Sequence, residues 1–364
     1  MSSLICQVEK IVSVEKHPNA DRLDIAKVRD WTVIVGKEEF KVGDLCIYLP
    51  IDSVLSKELE EKLFKDSKIK LSGGRIRAEK IRGIISYGFC IKPERVGLEG
   101  KKEGTDVTKL LGITKYEPPV SMSGRTGLQQ ATKKQTNPNF KKYTDIENFK
   151  NFPTMFNNDD IVWASEKCHG SNARFGFIER YSENVFTKIL IKLGLIDRFS
   201  FVLGSHNVQL QSKLFYKGFY TKNIYAEMAN NYDIKNKIDK GYCVYGEIIG
   251  EGIQKHYTYG CKAGEKKLVF FDVMKDGKYL DYKEAKEYIL SKGWEFVPVL
   301  YEGKYDPEVL KSLTIGDSVY CPTQKVREGI VIKPFKEETG HYGRKVLKLI
   351  SESYLLNKDN SDNH

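Results

Sequence analysis

The stretch SEKCHGSNARF, Ser165 to Phe175, sets a lysine, a cysteine and a histidine side by side ahead of a glycine and a polar turn. Four chemistries fit those residue types: a metal site, a thiol–imidazole nucleophile, a buried polar corner, or a nucleophilic lysine. A lysine attacks only as the neutral amine, a state that burial or a cationic neighbour favours. Lys167 ends the apolar run DIVWAS and precedes Gly170, so its side chain is expected at a strand-to-turn junction. Further along, VYGEIIG sets Glu247 in an apolar strand beside Gly246, whose lack of a side chain would admit a ligand. KLVFFDV offers Phe270, Phe271 and Asp272; REGIVIKPF sets Glu328 ahead of a fully apolar strand; GRKVLKLI brings Lys345 and Lys348. Taken singly, each has an ordinary structural use as a surface lysine, a paired carboxylate or a core ring. Together, a lysine nucleophile, two costly carboxylates, an aromatic that can stack on a base and a further lysine describe a site for an anionic nucleotide with a metal ion.

The elements that must position these residues follow from periodicity. The first 115 residues read as short strands, QVEKIVSV, IAKVRDWTVIVG and LCIYLPI, separated by HPNADR and KVGD. A further strand pair turns around Arg82-Gly83, and SKELEEKLFKD is a short helix with Ser56 as N-cap. Five or so short strands with one helix fit a small β-barrel of the OB type, with a β-sandwich as the alternative. From about 116 to 150 the periodicity disappears into a basic linker containing Lys133, Lys134, Lys141 and Lys142, followed by a lead-in helix in TDIENFKNF with Thr144 and Glu147 as a capping box. Residues 151–364 alternate strands with helices, among them LFYKGFYTKNIYAEMANNY, as a mixed α+β domain.

The composition bounds the partners. The chain of 364 residues has room for two or three domains, with 40% hydrophobic and 30% charged residues. A formal charge of +10 and a pI near 9.0 favour an anionic partner, nucleic acid first. Seven cysteines, at 6, 46, 90, 168, 243, 261 and 321, include no CxxC pair. That spacing argues against a zinc cage or disulfide framework and for thiols in a reducing compartment, cytoplasm or nucleus. No run approaches the roughly 18 apolar residues of a membrane span, and MSSLICQVEK lacks a secretion signal, so no membrane partner is expected.

In order and spacing, EKCHGSN, VYGEIIG, KLVFFDV, REGIVIK and RKVLKLIS resemble motifs I, III, IIIa, IV and V of the covalent nucleotidyltransferases. The histidine and asparagine around the motif I glycine are similar to RNA ligases of the phage-type RNA ligase 2 branch. EIIGEGIQKHYTYG and YTDIENFKNFP resemble a narrower family, ATP-dependent RNA ligases with an N-terminal OB-fold, and HPNADRLDIAKV and RIRAEKIRGIISYGF match its front domain. HPNADRL also looks like the opening of tRNA-binding OB domains attached to synthetases and their cofactors.

The resemblance implies an α+β chain: an OB-fold RNA-binding domain at 1–115, a linker and lead-in helix at 116–150, and an adenylyltransferase domain with antiparallel sheets at 151–364. It implies ligation of RNA 3′-OH and 5′-phosphate ends, nicked or duplexed, through lysyl-AMP on Lys167, with ATP as substrate and Mg²⁺ or Mn²⁺, by a monomer engaged in RNA repair. By the same resemblance Glu328 holds the metal, Lys348 with Lys345 nearby stabilises the α-phosphate, Glu247 takes the ribose, and Phe271 (Phe270 if the strand phase shifts) stacks on adenine. Glu166 sits at the adenine edge, His169 assists pyrophosphate departure or AMP handover, and Asn172 fixes the nucleotide. Two positions depart from the family. GSHN puts His206 where a basic residue, often Arg, follows the serine of motif Ia, and Lys345 and Lys348 are three apart where a Lys-x-Lys pair is usual. In the front domain Arg75, Arg77, Lys80 and Arg82 are the candidate RNA contacts, with Trp31 and Tyr87 as stacking rings. The rivals are a noncatalytic OB-fold tRNA- or RNA-binding protein and a DNA ligase of unusual domain order. DNA ligases place their OB domain after motif V, where this sequence has only LLNKDNSDNH.

Overall fold

The computed structural model describes residues 4–65, 71–116, 137–182, 184–210, 223–254, 256–340 and 343–356. Most of the expected linker, with Lys133 and Lys134, and the first part of LFYKGFYTKNIYAEMANNY lie outside them. The chain divides into two units: Met1–Val120 with Glu147–Pro153 and Leu355–His364, and Ser121–Ile146 with Thr154–Tyr354.

In the front unit, alternating apolar residues build β1 (Gln7–Lys16), β2 (Leu23–Val28), β3 (Trp31–Gly36) and β4 (Leu45–Leu49). With β7 (Phe89–Ile91) they form a five-stranded antiparallel sheet in the order β3-β2-β1-β4-β7. Between β4 and β7 lies a hairpin, β5 (Ala78–Ile81) and β6 (Ile84–Tyr87), turning through Arg82 and Gly83. Both turn residues have positive φ, 48° and 99°, the requirement of a two-residue type I′ turn. Ser86 brings this hairpin back to β3, its Oγ accepting the Ile34 N–H at 3.0 Å. The result is the nearly closed OB-like barrel expected from the sequence. Its sheet buries both faces: Val8, Ile47, Leu49 and Ile91 in one cluster, Ile11, Val28, Val33 and Tyr48 in the other. Helix α1 (Lys57–Phe64) starts at Ser56, whose Oγ caps the Leu59 N–H, and it buries Leu59, Leu63 and Phe64.

The expected lead-in helix is absent. Residues 141–146 have no regular structure, and a single 3₁₀ turn, Phe149–Asn151, follows, capped by Asn148 rather than Thr144. The Thr144 hydroxyl is instead engaged with Tyr279, and Lys150 and Asn151 turn toward Trp31 in the front unit.

The second unit is built on two sheets, antiparallel except where a short strand, Glu295–Phe296, pairs parallel with Lys266–Lys275. One runs β15-β14-β8-β13 and the other β10-β9-β11-β12. The strands are β8 (Ile161–Glu166), β9 (Ser171–Glu179), β10 (Phe199–Ser205), β11 (Tyr242–Gly250), β12 (Lys266–Lys275), β13 (Val299–Lys304), β14 (Gly329–Pro334) and β15 (Leu347–Ile350). Helices α2 (Val185–Lys192), α3 (Ile224–Asn231) and α4 (Tyr282–Ser291) lie between strands in sequence. The period of two sorts the second sheet into faces. Ala173, Phe175, Val244, Ile248, Leu268 and Phe270 enter a core completed by Met228, Ile289 and Trp294. Asn172, Tyr245 and Glu247 fall on the opposite face, where Tyr245 is buried and Asn172 and Glu247 keep partial exposure.

Candidate active site

Lys167 follows β8 directly, and its backbone N–H donates to the Gly329 carbonyl at 2.9 Å, tying motif I to the start of β14. That bond brings Lys167 Nζ within 2.6 Å of Glu328 Oε1. The lysine side chain is 22% exposed and the Glu328 side chain 0%, so the amine faces a cleft while its partner is sealed beneath it. Burial pushes the Glu328 carboxyl up, but Lys167 and His169 outweigh it and hold the group at about 2. For Lys167, burial pulls the ammonium down, while Glu328 and then Glu247 more than compensate and raise it. The pairing that orients the Lys167 amine therefore also keeps it protonated.

Gly170 lets the turn after Lys167 cross β11. A Cβ there would lie 2.2 Å from the Ile248 carbonyl oxygen and 2.9 Å from the Glu247 side chain. Gln254 Nε2 holds the same turn through the Gly170 carbonyl at 2.8 Å. Glu247 lies directly opposite Asn172 on β9. Burial, opposed by Lys167 and reinforced by Glu328, pushes its carboxyl up to about 8. Gly246 does not admit a ligand as expected: it sits on the core face, where a Cβ would meet the Val269 carbonyl at 2.8 Å and Phe270.

The β11–β12 register slips by one residue, pairing Tyr245 with Asp272 and Gly246 with Phe270, so Phe271 is the extra residue of a bulge. Phe270 is fully buried and stacked 4.9 Å from Trp294. Phe271 is half-buried and meets Tyr143 edge-on at 4.9 Å, so it, and not Phe270, retains surface for a base. A buried charge network fixes this bulge. Lys333 Nζ donates to the Phe271 carbonyl at 3.0 Å and to Asp272 Oδ2 at 2.8 Å, while Arg344 reaches Asp272 at 2.7 Å and also pairs with Glu337. Tyr143 Oη donates to the same Asp272 oxygen at 2.8 Å.

Glu166 is 1% exposed; its Oε2 accepts the Val319 and Tyr320 N–H groups at 2.7 and 3.1 Å. Its Oε1, with Asn172 Oδ1 and Glu328 Oε2, is a buried acceptor lacking a hydrogen-bond donor among the described residues. A buried unsatisfied acceptor costs about 1–3 kcal/mol, and three in one neighbourhood mark a place built for hydroxyls, amino groups or a cation. Among the described residues no three His, Cys, Asp or Glu side chains cluster as a metal cage. Glu328 Oε2 fits a hard cation that takes its other ligands from water and phosphate, the habit of Mg²⁺.

His169 is buried, its backbone N–H donating to Tyr259 Oη at 2.6 Å and its ring lying 3.1 Å from Tyr354 Oη and 3.6 Å from Glu328 Oε2. Cys168 packs among Tyr257, Tyr259 and Ile249, and burial pushes its thiol well up, away from reactivity. Lys348 lies opposite Val331, which lies opposite Ser165, two residues before Lys167; this register places it on the same face as Lys167.

The structure does not bring every candidate here. Lys345 pairs with Glu338 at 2.6 Å and Asp160 at 3.5 Å, and Asp160 precedes β8 at the end away from Lys167. His206 follows Ser205 at the Asn172 end of the sheet, where its Nε2 lies 3.3 Å from Asp145. In the front unit Arg75 is 3% exposed, locked to Asp52 through Nε at 2.9 Å and Nη2 at 2.7 Å and stacked over Tyr116, so it has no face for RNA. Trp31 and Tyr87 are likewise buried, against each other and under Lys150, and cannot stack on bases. Arg77 is half-buried; Lys80 and Arg82 are exposed on the hairpin. The sequence reading missed Tyr259, Tyr354, Lys333 and Arg344. No periodicity marks a tyrosine hydroxyl aimed at a histidine, and only the fully apolar setting of Lys333 hinted at a buried pair.

An RNA ligase family model matches residues 160–350, and an OB-fold domain model matches residues 5–93. Among curated proteins, a phenylalanine–tRNA ligase beta subunit of Dehalococcoides mccartyi is 32% identical over 102 residues, 27% of this chain and 11% of that protein. The corresponding subunit of Syntrophotalea carbinolica is 32% identical over 99 residues, 26% and 10% of the two chains. This chain thus spans about a tenth of the length of the curated relatives it matches. Among solved structures, a Naegleria gruberi RNA ligase variant with AMP and Mn superposes with a TM-score of 0.75 at 22% identity, over 97% of this chain and 98% of that one. Another variant, with ATP and Mn, gives 0.75 at 23% over 96% and 98%. The same ligase with PPi gives 0.74 at 23% over 97% and 98%.

Proposed function

The chain belongs to the RNA ligase family, whose model spans more than half of it, and from that premise we propose that it joins RNA ends with ATP through an adenylate on Lys167. The observation that carries the reading is Lys167 Nζ paired with a sealed Glu328 beside buried acceptors that await donors. The Naegleria ligase, similar in fold, has been solved with ATP, AMP, PPi and Mn, which supports the same substrate and a divalent cation here.

Three displacements at phosphorus make up the reaction. Lys167 Nζ, once it has lost its proton, attacks the α-phosphorus of ATP; the N–P bond forms as the bond to pyrophosphate breaks. An RNA 5′-phosphate oxygen then attacks the same phosphorus, the N–P bond breaks, Nζ regains a proton, and A(5′)pp(5′)RNA results. Finally an RNA 3′-hydroxyl, losing its proton, attacks the phosphorus bonded to the RNA 5′ oxygen; the phosphodiester forms as the anhydride P–O bond breaks and AMP leaves.

Positioning and charge neutralisation dominate such chemistry. Phe271 stacks on adenine while Glu166 Oε1 accepts from its amino group. Glu247 and Asn172 take the ribose hydroxyls, and Lys348 faces the α-phosphate. His169 acts at pyrophosphate departure or AMP handover, and His206 touches phosphate only after yielding Asp145. Lys345, tied to Glu338 and Asp160, is left out of the mechanism. A divalent cation, Mg²⁺ or Mn²⁺, would be held at Glu328 Oε2, where it would offset phosphate charge and weaken the hold of Glu328 on the lysine.

Lys80 and Arg82, at the hairpin tip of the OB-like barrel, are the remaining exposed candidates for gripping RNA. The substrate end is a nicked or duplexed RNA, the working form a monomer, and the free buried thiols suit a reducing compartment. The experiment is ligation of a nicked RNA duplex carrying a 5′-³²P end, with ATP and Mg²⁺ or Mn²⁺. The reading predicts a sealed strand preceded by adenylylated RNA; failure to seal under either metal, with adenylylated RNA also absent, overturns it.

A further inference from the structure

We propose that α2, at the tip of the β9–β10 hairpin, is a docking helix for an anionic lipid surface. With 3.6 residues per turn, Val185, Phe186, Ile189 and Leu193 fall on one side of this segment and Thr187 and Ile191 on the other. A helix that served only the fold would turn its apolar side inward. Here that side faces solvent: Val185 is 67% exposed, Phe186 66%, Ile189 47% and Leu193 66%, with Leu195 just beyond at 70%. Thr187, Leu190 and Ile191 make the half-buried side, and no residue of α2 is fully buried. Five bulky apolar side chains in one exposed segment form a patch of the kind that marks a partner or membrane site.

Charge selects among occupants. From Asn184 to Ile196 the sequence holds Lys188 and Lys192 and no acidic residue, and both lysines are exposed beside the apolar side. Apolar residues flanked by lysines are the pattern of a helix lying in the interface of a bilayer, its lysines reaching anionic headgroups. A second copy of the chain would set lysines against the same lysines, and the patch, on the order of 500 Å², falls short of the roughly 800 Å² per partner of a stable interface. RNA offers no partner for Phe186, Leu193 and Leu195 on a helix face. The absence of a span in the sequence does not bear on this, because an interfacial helix crosses nothing. Strand β9 places α2 past its Glu179 end, whereas the nucleophile lies before its Ser171 end, roughly 25 Å away along nine residues of strand. Docking therefore leaves the nucleotide site open.

The test is co-sedimentation of the full chain with vesicles of phosphatidylcholine alone and of two parts phosphatidylcholine to one part phosphatidylserine. The expected result is binding to the anionic vesicles only. Phe186→Ser with Ile189→Ser should weaken it at least tenfold and Lys188→Gln or Lys192→Gln about fivefold each, all with unchanged melting temperature. Absence of binding to anionic vesicles, or equal binding to neutral ones, overturns the proposal. So does a concentration-dependent dimer, or duplex RNA binding, that Phe186→Ser abolishes.

Discussion

Tyr354 Oη lies 3.1 Å from the His169 ring while Tyr259 accepts the His169 backbone N–H, so His169 is held at both its ring and its backbone. If His169 acts at one step of the reaction, Tyr354 acts through it. Tyr354→Phe deletes one buried hydrogen bond, a loss of about 1–2 kcal/mol, and should slow the step that His169→Ala slows by roughly tenfold. Single-turnover rates of lysine adenylylation and of AMP transfer to RNA identify that step. Because the two residues act as a unit, the double variant should be no slower than His169→Ala; additive losses would show that Tyr354 serves packing alone. Glu247 makes a different prediction. Its carboxyl titrates near 8 in the folded chain against 4.5 as its ordinary value. Between those values the folded state keeps a proton that the unfolded state has released, so this residue's contribution to stability falls as pH rises through the window. Glu247→Gln should flatten that fall in urea midpoints measured at about pH 5 and pH 8; an unchanged slope would remove Glu247 from the account. Lys167, Glu247 and Glu328 were legible in the sequence because charged residues in apolar strands are expensive and demand a reason. Tyr354 was not, since a tyrosine among apolar residues reads as core until its hydroxyl is seen to meet a histidine.

At the scale of elements, the site depends on a bulge and on the network that holds it. Lys333 of β14 and Arg344 converge on Asp272 of β12, and Lys333 also grips the Phe271 carbonyl, which fixes the ring proposed to stack on adenine. Asp272→Ala would leave Lys333 and Arg344 buried without their shared carboxylate, a loss of about 3–5 kcal/mol. Urea denaturation would read that loss, and the KM for ATP should rise in the variant at temperatures where it remains folded. A loss under about 1 kcal/mol would mean that solvent reaches these groups. The strands themselves were legible: VYGEIIG lies wholly within β11 and ends where it ends, and Ser56 caps α1 as its sequence requires. The bulge was not, because one extra residue in β12 leaves the apolar pattern intact while moving Phe271 to the other face. The expected helix in TDIENFKNF failed for a related reason. Its capping pattern is a local signal, and the Thr144–Tyr279 bonds and the Trp31–Asn151 bond are tertiary contacts that override it.

For the whole molecule, motif order and charge carried the reading further than any local pattern. Five motifs in order, an OB-like pattern ahead of them and a charge of +10 point together to RNA ligation. The front unit tempers the charge argument, since Arg75 serves Asp52 and leaves Lys80 and Arg82 on the exposed hairpin. Exposure of an arginine is decided by long-range packing, which composition does not record. The central claim is that Lys167 is the nucleophile, and covalent labelling tests it most directly. The protein is incubated with α-³²P-ATP and Mg²⁺ or Mn²⁺, resolved on a denaturing gel, and the labelled peptide is sequenced by mass spectrometry. The account predicts an acid-labile AMP adduct on Lys167, absent from Lys167→Ala and from Glu328→Ala. A labelled Lys167→Ala protein, or an adduct mapped to another residue, would contradict it.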